Sequence, residues 1–275
     1  MSSTDNKTVA FFGATGGCVN ACLVYALNAG YHASALARSP PKLTSKLLAQ
    51  GVSQTTLDTN LRIIQGDATD VAAVKSAIFL GDGNDDSGNG NGQLVSSIVS
   101  GIGGIPSLEF RKLIIPRFKL NNPHITEETT ETLLSALREL YTQHPNLAES
   151  HKPVITVIST TGLTQSGQPN DVPLFLRPVY RIFLQLPHDD KRRMEDLVSA
   201  NQDLFSGAVI VRPTLLSGDG SITSAKGLQH VRSGTQPKPA LGYQITRADV
   251  GLWIFEEVVG GDSQKWSGEK VTLTS

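Results

Sequence analysis

The chain has 275 residues, 39% of them hydrophobic and 18% charged, which suits one large domain with a full core. Its 24 basic and 25 acidic residues leave a net charge of −1, so there is no electrostatic case for a nucleic-acid or membrane partner. Cys18 and Cys22 are too few and too local for a disulfide framework, and no signal peptide or membrane span is visible, so a reducing, cytoplasmic setting is expected.

Val9 to Phe12 is a short apolar run of the kind that forms a buried parallel strand. Gly13-Ala14-Thr15-Gly16-Gly17 follows, too glycine-rich for a helix interior. Ala21 to Asn28 then carries Ala21, Val24, Tyr25 and Leu27 at helical spacing, and Ala33 to Ala37 reads as a second strand ended by Arg38. Strand, glycine turn, helix and strand make an anion-binding unit. The glycines let the backbone approach a pyrophosphate, and the helix N-terminus offers free N–H groups. A basic residue at the end of the second strand suits the 2′-phosphate of NADP, where an acidic one would hold the ribose of NAD. Arg38 also has the plain reading of a solvated loop arginine.

A helix signal continues through Pro41, Leu43, Leu47 and Leu48, and Leu61 to Gln65 is a third strand followed by Gly66-Asp67-Ala68. Asp70 to Ala77 looks helical, with Asp70 as its cap. Gly81 to Gln93 has no apolar residue and reads as an inserted, flexible surface loop. Asp82, Asn84 and Asp86 have calcium-like spacing there but lack the distal Glu, so no metal site is expected. Leu94 to Val99 is a fourth strand, and glycines follow it at 101, 103 and 104.

Leu108 to Leu120 gives no clear element; an insertion covering the substrate side is one reading. Pro123 to Gln143 gives a helix with Leu133, Leu134, Leu137, Leu140 and Tyr141 as its buried stripe. Pro153 to Ser159 is the clearest buried strand, ending in Ser159-Thr160-Thr161-Gly162. Pro187 suits the first turn of a helix that carries Lys191, with Asp189 and Asp190 near its positive end. Ala208 to Val211 is a sixth strand followed by Arg212-Pro213. Leu215 to Gly242 has few helix signals, Thr246 opens a helix running to Val259, and Val271 to Thr274 is the last strand.

The GATGG turn, the Gly66-Asp67 pair, the Asp190-Lys191 pair with a Glu four residues on, the Arg212-Pro213 pair and the RADVG start at 247–251 carry a resemblance. In order and spacing the chain resembles the short-chain dehydrogenase/reductase superfamily, specifically its atypical, NmrA-like or NAD(P)H-binding branch, nearly end to end. The resemblance implies an α/β, Rossmann-type doubly wound parallel sheet. It implies a single domain, residues 1–275, with a substrate lobe contributed mainly by 163–190 and 214–245.

It further implies NADP(H) as cofactor. Gly13, Thr15, Gly16 and Gly17 would meet the pyrophosphate, Arg38 the 2′-phosphate, and Asp67 and Ala68 the adenine edge. Gly101 would approach the ribose and nicotinamide, and Lys191 would hold the nicotinamide ribose. Ser159 or Thr160 would orient a substrate carbonyl, with Thr161 within reach.

The chain departs from the pattern twice. Val19 stands where the third glycine of the turn belongs and is expected to push the helix outward slightly. Pro187 stands where Tyr-x-x-x-Lys would place its proton donor. His188, Tyr180 and solvent remain as proton sources, so the catalytic set is Ser159, Thr160, His188 and Lys191. The function so implied is NADP-dependent reduction of a carbonyl or activated double bond in a small apolar molecule, such as a secondary metabolite. A non-redox isomerase or cyclase, and a dinucleotide-sensing regulator, stay open beside it. So does assembly as a homo-oligomer.

Overall fold

The computed structural model describes residues 7–81, 92–104, 106–109, 117–120, 122–164, 167–177 and 185–275. Most of the expected loop 81–93, part of the expected substrate lobe and Tyr180 lie outside the described residues.

The sheet is doubly wound. Its strands are β1 (Thr8–Phe12), β2 (His32–Ala37), β3 (Leu61–Gln65), β4 (Ser97–Ser100), β7 (Val154–Ile158), β8 (Gly207–Pro213), β10 (Arg232–Gly234) and β12 (Lys270–Thr274), the numbers following chain order over the strands of the described residues. They lie in the order β10-β12-β8-β7-β4-β1-β2-β3, and only β10 runs antiparallel to its neighbour. The strand order reverses between β1 and β4, which opens a crevice at their carboxyl ends. Two small ribbons supply the other strands. One is β5 (Pro106–Glu109) with β6 (Arg117–Leu120), antiparallel; the other is β9 (Leu215–Ser217) with β11 (Gln244–Thr246), parallel.

Each face of the sheet has its own core. On one, α1 (Gly17–Asn28), α2 (Pro40–Ala49), α3 (Gln54–Asn60) and α8 (Arg247–Ile254) cover Phe11, Val99, Val209 and Val211. On the other, α4 (Val71–Ile78), α5 (Ile125–Gln143) and α7 (Gln185–Ala200) cover Phe12, Ile98, Ile155 and Ile210. A short helix, α6 (Pro145–Ser150), follows α5, and one π-helical turn, Phe255–Val259, extends α8. Burial on both faces is why the central strands β1 and β7 are apolar with little alternation. Among the described residues no helix is long and apolar enough to cross a membrane.

Local chemistry explains the helix starts. Asp70 accepts the Ala72 N–H at 2.9 Å and caps α4 as expected. Thr246 Oγ1 accepts the Asp249 N–H at 3.0 Å and donates to Asp249 Oδ2 at 2.7 Å, closing the first turn of α8. The buried Asp249 then accepts the N–H groups of Lys226 and Gly227 at 2.8 and 3.0 Å. A Cβ on Gly251 would lie 2.6 Å from both Cys18 O and Ala21 Cβ, so only glycine lets α8 close on α1.

Some expectations are corrected. The helix expected from Ala21 starts at Gly17, directly on the glycine turn. The fourth strand begins at Ser97 rather than Leu94. Leu94 instead forms an isolated bridge with Phe79; it is as buried as the strand, so the apolar run gives no start signal. Residues 108–120, which gave no clear element, fall in part on the ribbon of β5 and β6. Asp190 does not serve the N-terminus of its own helix, which starts at Gln185. It accepts the N–H groups of Thr126 and Glu127 at 3.0 and 2.9 Å and so caps α5 from across the interface.

Candidate functional site

At the crevice lies a groove of about 340 Å³, bounded by the turn after β1, the ends of β2 and β3, the loop after β4 and the start of α5. Gly13 has a φ of +77°, and a Cβ there would sit 3.1 Å from the carbonyl carbon and oxygen of Gly101. Two glycines thus let the β1 turn and the β4 loop meet. Gly16 donates its N–H to Gly13 O at 2.8 Å and is the N-cap of α1, so the groove faces a helix N-terminus. A Cβ on Gly16 would lie 3.1 Å from Gly13 O. This glycine-only cradle fits a pyrophosphate.

Gly13, Thr15, Gly16, Arg38, Asp67, Ala68 and Gly101 all line the groove. Gly17 does not. Its α-carbon faces Asp219 and Arg247, a Cβ there lying 2.9 Å from Asp219 O, so its glycine is required by packing on the far side of the turn. Val19 is buried, and room for it comes from Gly101, where a Cβ would overlap Val19 Cγ2.

The end near β2 is basic. Arg38 and Lys42 both line the groove and both are exposed. Sequence reasoning missed Lys42, which lies in the first turn of α2, four residues after Arg38. Asp67 Oδ1 accepts the Thr69 N–H at 3.0 Å and the Thr69 hydroxyl at 2.9 Å. These bonds, with a smaller pull from Arg38, hold its carboxyl below the usual range. That turn fixes the wall of the groove at Asp67 and Ala68.

Behind the groove, Lys191 Nζ donates to Ile158 O at 2.6 Å and to Ile102 O at 3.2 Å; Ile102 lines the groove, whereas Lys191, Ser159, Thr160 and His188 do not. Burial pulls the Lys191 amine down to about 8, with Asp190 and Glu195 offsetting part of the shift. Ser159 is 5% exposed and donates its hydroxyl to Glu195 Oε1 at 2.6 Å. That proton faces the carboxylate, so Ser159 cannot also offer it to a substrate carbonyl. Thr160 is the partly exposed hydroxyl at this strand end. His188 is buried, and burial together with Arg192 brings its imidazole down to about 4, so it is neutral at pH 7.

Beneath Ser159 lies a buried charge cluster. Arg212 gives Glu195 two bonds, Nε to Oε1 at 2.8 Å and Nη2 to Oε2 at 2.5 Å, and Lys270 Nζ is 3.1 Å from Oε2. Burial alone would raise the Glu195 carboxyl, but Arg212 and Ser159 outweigh it and keep it low. Asp171, buried 3.8 Å from Arg212, accepts the Gly162 N–H at 2.9 Å and ties the loop after β7 to the sheet. Arg212 is therefore a structural cation under the strand ends.

No protein-family model matches the sequence. The chain is 45% identical to "Oxidase pynE" of Aspergillus niger over 97% of its length and 98% of that protein. It is 39% identical to "Reductase pytE" of Aspergillus terreus over 99% of both. A short-chain dehydrogenase/reductase from Veillonella parvula, solved in complex with NADP, superposes with a TM-score of 0.63 over 98% of this chain and 94% of that one, at 14% identity. The solved structure shares the fold; the two curated relatives span both proteins nearly whole. The chain belongs to the family of the Aspergillus proteins pynE and pytE, built on the Rossmann-type fold of the short-chain dehydrogenases/reductases.

Proposed function

We propose that this protein is an NADPH-dependent oxidoreductase that reduces a carbonyl or activated double bond in a small, apolar molecule. The observation that carries this reading is the groove at the sheet's switch point, with close-packed glycines and a helix N-terminus in its wall, two cations at one end, and Lys191 behind it bonded to the carbonyl of the lining Ile102. The names of the relatives, an oxidase and a reductase, and the NADP complex of a protein with the same fold support it.

The roles follow from position. Gly13 and Gly16 let the turn and the positive end of α1 come close to the pyrophosphate. Arg38 and Lys42 face the 2′-phosphate, which favours NADP(H) over NAD(H). Asp67 and Ala68 bound the adenine, and Gly101 gives the backbone close access to the nicotinamide side. The bound nicotinamide supplies a hydride; the protein must align the substrate and deliver a proton.

Lys191 suits the proton step. An amine near 8 is mostly protonated at neutral pH and is close enough to it to release the proton. His188, neutral at that pH, carries no imidazolium proton to give, so it ranks below Lys191. Thr160 is the hydroxyl left to orient the substrate oxygen, since that of Ser159 is bound to Glu195.

The test is consumption of NADPH against a panel of small apolar ketones and enones. Turnover that depends on NADPH and falls in Lys191→Met supports the reading. Conversion of a substrate by cofactor-free protein with no NADPH consumed would replace it with isomerase or cyclase chemistry.

A further inference from the structure

The groove's central turn is held from behind by side chains that also hold a distant segment. Asn20, buried in α1, donates Nδ2 to Ala14 O at 2.9 Å. Its Oδ1 accepts from Gln50 Nε2, and Gln50 Oε1 accepts the Ile222 N–H at 2.9 Å. Lys46 Nζ donates to Thr15 O at 3.0 Å. Two successive carbonyls of the turn are thus held by side chains, Ala14 O inside the protein and Thr15 O at its surface. A trans peptide points its N–H opposite to its C=O, so anchoring Ala14 O turns the Thr15 N–H to the other side.

The far end of this chain of bonds is the segment 217–222, which crosses the start of α1. Gly220, at φ +90°, passes so close to Gly17 that a Cβ on it would overlap the Gly17 backbone. Arg247 Nη1 donates to Gly218 O at 2.5 Å, and Asp219 Oδ1 accepts the Ser221 N–H at 2.9 Å. The segment is therefore a strap with its own fixed shape. Gln50, the residue that ends α2, joins it to Asn20 and the turn.

We propose that Asn20 and Gln50 are positioning residues that couple the strap, residues 217–222, to the dinucleotide turn, so that NADPH binding and strap order favour each other. The proposal rests on the dinucleotide reading above. Coupling of this kind is reciprocal: what the cofactor does to the strap, the strap does to the cofactor. It also gives the expected substrate lobe a way to register that the cofactor site is filled.

The experiment measures NADPH affinity by titration and hydrogen exchange of residues 219–224 with and without NADPH. It uses the full chain, Gln50→Ala and Gln50→Glu. In the unmodified protein NADPH should slow exchange at the strap. Gln50→Ala cuts both links at a half-exposed position. It should keep the melting temperature within a few degrees, lose the strap's response, and bind NADPH about 5- to 10-fold more weakly.

Gln50→Glu keeps an acceptor for Ile222 but removes the donor to Asn20. The strap should stay ordered without cofactor while its response to NADPH is lost. NADPH binding by the unmodified protein with no response at 219–224, or a response that persists in both variants, overturns the coupling alone. No NADPH binding by the unmodified protein overturns the dinucleotide reading and the coupling with it.

Discussion

Gly101 stands where a side chain would run into Val19: a Cβ on it would overlap Val19 Cγ2 and lie 3.0 Å from Ile158 Cδ1. The small residue that the β1 turn lacks at position 19 is supplied by the loop after β4. Helix α1 can therefore carry a valine in its first turn and still sit close against the sheet, with Val19 fully inside the core.

Gly101→Ala should accordingly be destabilising by about 1–3 kcal/mol through overpacking, and should weaken NADPH binding because Gly101 meets Gly13 across the groove. Adding Val19→Ala should return part of the loss, giving a non-additive pair in a denaturation cycle. Strict additivity would show that the two residues do not share that space.

Cofactor choice should reside in Arg38 and Lys42. Replacing Arg38 by Ala removes a charge-assisted contact of about 1.5–3 kcal/mol, roughly 10- to 100-fold in affinity, for NADPH only. Lys42→Ala should act in the same direction, and NADH binding should change little in either variant. Equal losses for both cofactors would make these side chains structural. The check is a pair of titrations per variant.

Lys191 predicts a pH profile. Its folded-state value, about 8, lies below the ordinary lysine value of 10.5. Between those two pH values the unfolded chain binds more protons, so stability should rise there with pH as the cost of the buried charge is relieved. If the protonated amine is the donor, turnover should fall as pH rises through about 8. In Lys191→Met that limb should vanish with the residual rate, while the rise in stability should vanish too. A limb that survives in Lys191→Met would assign it to another group.

The Glu195–Arg212 pair should matter to stability before it matters to chemistry. Glu195→Ala leaves Arg212 buried without its main partner, a loss of about 3–5 kcal/mol in chemical denaturation. Because the folded carboxyl is held low, its contribution is present above the ordinary glutamate value of about 4.3 and is lost as pH falls below it. A loss below about 1 kcal/mol, as for an exposed pair, would contradict the buried bonding.

Much of the fold was legible because parallel strands buried on both faces read as continuous apolar runs. Val9 to Phe12 and Val154 to Ile158 were found that way. The same property hid the start of β4, since Leu94 and Val95 are just as buried ahead of it. The glycine turn and Arg38 were legible from local chemistry. Lys42 was not, because nothing in a helix's first turn says which groove it faces. Ser159 was found as a strand-end hydroxyl, but its partner Glu195 sits on another element, and no local pattern tells where a hydroxyl points. Gln50 escaped for the same reason, since its bonds to Asn20 and Ile222 join residues far apart in the chain.

The most direct measurement is a calorimetric titration of NADPH into the full chain and into Gly16→Asp, each first shown to be folded by circular dichroism. Gly16 is the N-cap of α1 and lines the groove, and an added carboxylate there would bring negative charge to the phosphates. The dinucleotide reading predicts saturable binding by the full chain, tighter for NADPH than for NADH, and its loss in the folded variant. Unchanged NADPH affinity in Gly16→Asp would contradict it.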